Sequence, residues 1–212
     1  MWRRNNLSIV LLGLMVVFLC AQALTGWNVH NEELAQHGQR ALGFGEYLLT
    51  GHFSSATFEN WESEFLQMGM YVLLTVRLRQ WGSAESRPLD PSRETPRVDA
   101  GPAPWPVRKG GPWLKLYEHS LAIAFFALFA VSFVLHACGS WRAQVDEAHL
   151  EGRVPAGLWE HLSSSDFWFE SMQNWQSEFL AVLALVVLTI FLRQKDSPQS
   201  KATEAPHTQT GD

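Results

Sequence analysis

The sequence predicts an all-α membrane protein: four transmembrane helices formed by tandem duplication of a two-helix hairpin, in parallel repeats, with short interfacial helices in the outer loops. Three observations carry this prediction. Apolar residues gather into four blocks nearly free of charge, although the 212 residues are only 47% hydrophobic overall. The chain matches itself without a gap when shifted by 114 positions. It also holds ten tryptophans, and tryptophan gathers where a membrane helix passes from lipid to water.

The first block, residues 7–26 (LSIVLLGLMVVFLCAQALTG), carries no charge, and about 20 apolar residues cross a bilayer as a helix. A secretory signal peptide is the rival reading, with Arg3 and Arg4 as its basic region and Ala21-Gln22-Ala23 as a cleavage-like triplet. The third block, residues 121–139, is equally clean. The second and fourth have shorter apolar parts, at 65–76 and 179–192. Extended back to a tryptophan, residues 61–78 and 175–192 become eighteen-residue spans of about 27 Å at 1.5 Å per residue. Tryptophan then marks one interface, and Arg79 or Arg193 the other.

The self-match gives 26 identities over the 80 pairs from Leu7/Leu121 to Ser86/Ser200. Residues 60–66 (NWESEFL) lie on 174–180 (NWQSEFL), and Trp27, Glu33, Gly38, Gly43, Glu46 and Phe53 lie on Trp141, Glu147, Gly152, Gly157, Glu160 and Phe167. Shared apolar composition cannot place NWxSEFL twice in register with these loop residues. The first block thus has a mid-chain counterpart, which weakens the signal-peptide reading. The expected organisation is repeat unit 1 at 1–86, a flexible Pro/Gly-rich cytoplasmic linker at 87–117, repeat unit 2 at 118–200 and a disordered tail at 201–212. Two spans per unit return the chain to its starting side, so the repeats are parallel.

Positive residues set orientation. With the N-terminus inside, the inner segments hold Arg3, Arg4, Arg77, Arg79, Arg87, Arg93, Arg97, Arg108, Lys109, Lys115, Arg193, Lys195 and Lys201, against Arg40, Arg142 and Arg153 outside. Both termini are expected in the cytoplasm. In each outer loop an acidic stretch (NVHNEELAQHG, RAQVDEAHLEG) ends at Gly38 or Gly152 and is followed by a short amphipathic piece, 44–49 or 158–162. These read as helices lying on the outer face of the bilayer.

The candidate functional residues are Asn60, Trp61, Ser63 and Glu64 with Asn174, Trp175, Ser177 and Glu178. Ionisable groups at membrane depth point to ion or proton handling. The competing account makes each glutamate a partner of its helix N-terminal dipole, with Asn and Ser satisfying free N–H groups. Haem would need two histidines deep in facing spans; only His136 lies in one, and its counterpart is Gln22. Glu33 and His37 have metal-binding i,i+4 spacing, but two ligands are too few. Cys20 and Cys138 form no CxxC and read as small apolar residues in membrane helices. No catalytic, cofactor-binding or metal residue is assigned, no hydrolase or P-loop motif occurs, and the net charge of -5 argues against a nucleic-acid partner.

The segments NNLSIVLL, HNEELAQHG, GEYLxTGHF, FENWESEFLQMG and NWQSEFLAVLALVVLTIFLRQKDSPQSK resemble an uncharacterised bacterial membrane-protein family catalogued only as a domain of unknown function. The resemblance covers nearly the whole chain outside the linker and implies the bacterial cytoplasmic membrane, with the lipid bilayer as partner. It assigns no site residue and no cofactor. The leading expectation is a non-enzymatic structural or accessory envelope protein. A small channel or ion-coupled transporter using Glu64 and Glu178, as a homo-oligomer, is second. A periplasm-facing membrane enzyme is third.

Overall fold

The computed structural model describes residues 2–94 and 98–211. Arg97 of the topology argument and the last residue of the expected tail lie outside them. Among the described residues the chain is helical, without strands: α1 (Trp2–Gln36), α2 (Phe44–Tyr47), α3 (Gly51–Arg77), α4 (Trp105–Lys109), α5 (Gly111–Glu118), α6 (Ser120–Leu150), α7 (Leu158–Leu162) and α8 (Ser165–Phe191), with one 3-10 turn at Pro91–Arg93. Two compact units result, Met1–Glu59 with Phe133–Trp168 and Asn60–Ser132 with Phe169–Asp212.

Among the described residues, three helices are long and apolar enough to cross a membrane: Arg4–Gln36, Ser120–Leu150 and Ser165–Phe191. Their apolar side chains face outward. Leu7, Leu11, Leu12, Val17 and Phe18 on α1 are all more than half exposed, while the buried hydrophobic residues include small ones such as Ala23, Ala122, Ala137 and Ala148. Exposed apolar surface on this scale marks a surface that contacts a membrane or another protein. Helix α3 is not among the three. Every eighteen-residue stretch of it holds three of Glu59, Glu62, Glu64 and Arg77.

The outer loops differ from expectation. The acidic stretches are not separate interfacial helices; they are the unbroken last turns of α1 and α6. No proline interrupts either stretch, and the first glycines in the left-handed conformation are Gly38 and Gly152, each at φ 68°. Both ends then close alike: Gln39 N–H donates to Leu34 O and Arg153 N–H to Ala148 O, bonds that satisfy otherwise free terminal carbonyls. The second short pieces do form, as α2 and α7, each preceded by an extended glycine, Gly43 or Gly157. Helices α3 and α8 start ten residues before their expected tryptophans. Thr50 Oγ1 accepts from Phe53 N–H and Ser164 Oγ from Phe167 N–H, both at 3.2 Å, which is N-capping by a hydroxyl.

Other contacts recur at the same interval of 114. Trp27 Nε1 donates to Leu42 O at 2.7 Å and Trp141 Nε1 to Ala156 O at 3.0 Å, tying each helix end to the returning chain. At the other end, Gln80 N–H donates to Ser86 Oγ and Gln194 N–H to Ser200 Oγ, both at 2.9 Å. Arg79 and Arg193 each fold back onto three carbonyls of their own helix end.

In unit 1 the first turn of α3 meets the end of α6 backbone to backbone. A Cβ on Gly51 would stand 2.5 Å from both Ala143 N and Gly139 O, and one on Gly139 would stand 2.7 Å from Ser55 N. In unit 2, Gly69 lets α3 approach Phe125 and Phe126 of α6. The tail also makes polar contacts. Lys201 is 2% exposed, and its ammonium faces the carbonyls of Gly82, Pro206, His207 and Gln209 at 2.5–3.3 Å. Within the linker, α4 and α5 place Lys109 over the rings of Trp105 and Trp113, 4.8 Å from each. Both cysteines are free and exposed.

Candidate functional site

The NWxSEF segments sit well inside α3 and α8, not at their starts. Glu64 and Glu178 lie thirteen residues beyond Gly51 and Ser165, more than three turns at 3.6 residues per turn. The helix dipole acts within the first turn, so dipole pairing does not explain either acid. Nor do the serines cap free N–H groups: Ser63 Oγ donates to Asn60 O and Ser177 Oγ to Asn174 O, each at 2.8 Å within the helix. Glu64 and Asn60 are exposed, Trp61, Asn174 and Trp175 half-buried, Ser63 buried and Ser177 exposed. Glu178 is half-buried.

The buried acid is Glu62. It is 0% exposed, and its Oε1 accepts from Ser171 Oγ and from Trp175 Nε1, both at 3.2 Å. Ser63, Gln67 and Ser171 are buried too, which makes unit 2 polar at its centre. The sequence already sets Glu62 apart, because Gln176 stands where a paired acid would, but it does not show that Glu62 is the buried one.

Unit 1 holds a histidine cluster. The rings of His30 and His52 stack with centroids 4.9 Å apart, Tyr47 Oη lies 3.2 Å from His52 Nδ1, and His30 Nδ1 lies 3.4 Å from Glu33 Oε2. Ligand atoms of His30, Glu33 and His52 all fall within 4.8 Å of one another. Burial, then the neighbouring His30, holds the His52 imidazole below its ordinary value, with Glu33 opposing. His37, the histidine singled out by spacing, is turned back on the Glu33 carbonyl at 3.0 Å. What spacing from one helix could not supply was His52, brought in from the start of α3.

The positions 114 residues further on carry Gln144, Glu147, Asp166 and, for Tyr47, His161. His161 Nε2 lies 2.8 Å from Ser140 Oγ, and 114 residues earlier Tyr47 Oη stands against Gly26. His136 is fully buried and stacks on Phe167 with centroids 5.1 Å apart. Beside these, Leu42, Leu49, Trp141 and Val145 line a groove of about 370 Å³ that also carries Glu46 and Arg142.

Burial, then His136, holds His161 below its ordinary 6.5, while Asp166 opposes this. The unfolded chain therefore takes up the proton first, and stability falls as pH drops through 6.5 toward the lower folded value. The melting temperature should accordingly fall between pH 7.5 and pH 5.5, and fall less in His161→Gln. Equal falls in the two proteins would remove His161 from this role.

An all-helical chain whose described residues include three helices long and apolar enough to cross a membrane is compatible with the class of α-helical membrane proteins. The chain belongs to the family described as Domain of unknown function (DUF6766), which matches residues 1–212. No curated protein and no solved structure matches it.

Proposed function

We propose that the chain is a multi-pass protein of the bacterial cytoplasmic membrane, made of two tandem hairpins with four spans and both termini in the cytoplasm, and that it acts as a non-enzymatic structural or accessory component of the envelope. The observation that carries this is the recurrence of the same caps, tryptophan ties and arginine closures 114 residues apart, on helices whose ends also differ by 114. It supports giving α3 the same crossing as α8 although α3 is less apolar. The main obstacle to insertion is its acids, and Glu62 is taken up by Ser171 and Trp175 inside unit 2, as a carboxylate at membrane depth must be.

A structural role predicts a stable complex. Gentle detergent extraction of the chain from its native membrane should retain the same protein partner in fixed ratio, and isolation as a bare monomer or homo-oligomer would contradict it. The transport reading keeps one observation in its favour, that Glu64 and Glu178 take matching positions within α3 and α8, thirteen residues beyond Gly51 and Ser165. It requires a cation or proton flux in liposomes that is lost in Glu64→Gln/Glu178→Gln.

A further inference from the structure

We propose that His30, Glu33 and His52 form a binding site for one divalent transition-metal ion of the zinc type, at the outer end of the first repeat. Two imidazoles and one carboxylate make a three-ligand set that leaves a fourth tetrahedral position open to water or a substrate. Their ligand atoms lie within 4.8 Å of one another. Bonds of about 2.0–2.2 Å hold tetrahedral ligand atoms roughly 3.3–3.6 Å apart, and His30 Nδ1 and Glu33 Oε2 already stand 3.4 Å apart.

A second observation points to a ligand. His30 Nδ1 is shut off from solvent and makes no hydrogen bond, although it faces the Glu33 carboxylate at 3.4 Å. Buried polar nitrogens are ordinarily satisfied, and an ion shared with Glu33 satisfies this one. Metal ligation also needs neutral imidazoles, and burial favours that form of His52. Tyr47 supplies the outer shell: when His52 Nδ1–H donates to Tyr47 Oη, 3.2 Å away, the ring is oriented and its Nε2 lone pair is free for the metal. The second repeat has Gln144 and Asp166 in place of the two histidines, so the site belongs to the first repeat alone.

Zinc titration of the full-length, chelator-stripped protein in detergent tests this. One zinc per chain is expected. His30→Ala and His52→Ala should each weaken binding by at least about tenfold, while His37→Ala leaves it unchanged. Absence of stoichiometric zinc, or weakening by His37→Ala alone, overturns the site. X-ray absorption on the unmodified zinc-loaded protein gives an answer that needs no variant: two imidazole ligands are expected, and fewer than two would overturn the assignment.

Discussion

Gly51→Leu is expected to lower the melting temperature in detergent by roughly 10 °C or more. The first turn of α3 crosses the end of α6 so closely that a Cβ at Gly51 meets backbone on two sides, Ala143 N and Gly139 O, both at 2.5 Å. Neither atom can move without shifting α6, and close approach of small residues is how helices associate in membranes. Overpacking typically costs about 1–3 kcal/mol and sometimes more. At about 2–4 °C per kcal/mol for a chain of this size, the upper end of that range gives the shift. Gly13→Ala is the control. Nothing lies within 4 Å of the added Cβ there, and alanine favours a helix interior by about 0.5–1 kcal/mol, so its melting temperature should hold or rise.

The second large effect belongs to Glu62. Ser171→Ala with Trp175→Phe removes two donors from a carboxylate that is 0% exposed. Hydrogen bonds to charged groups contribute about 1.5–3 kcal/mol each, so the double variant should lose about 3 kcal/mol or more, again on the order of 10 °C. Adding Glu62→Gln should restore most of the loss, because an amide costs far less than a charge to leave under-bonded in a dry interior. Thermal melts of the two- and three-site variants decide the matter. A triple variant melting as low as the double would mean that the charge of Glu62 is not what those donors serve.

Periodicity and punctuation made much of the architecture legible. Gly38 and Gly152 stop α1 and α6 because only a residue without Cβ adopts that left-handed turn cheaply. The two short helices begin at Phe44 and Leu158, behind the N-caps Gly43 and Gly157, where the sequence set their first residues. Helix starts were harder to see. Thr50 and Ser164 cap α3 and α8 with hydroxyls, but apolar patterning begins only near the tryptophans, so the spans read ten residues short. That shift turned Glu64 and Glu178 into apparent helix-terminal acids. Which acid is buried depends on side chains of α8 that spacing within α3 cannot reveal, so Glu62 was visible as an unpaired acid but not as the buried one. His30, Glu33 and His52 assemble through the return of the chain between Gly38 and Gly51, a tertiary event with no local signature.

The central claim is that α3 crosses the bilayer as α8 does, so that each repeat is a complete hairpin. Reporter fusions after Gly51 and after Ser86, which bracket α3, test it most directly. Phosphatase should be active after Gly51 and inactive after Ser86, with cytoplasmic fluorescence in the opposite order. Reporters that place both positions on the same side of the membrane would contradict the account.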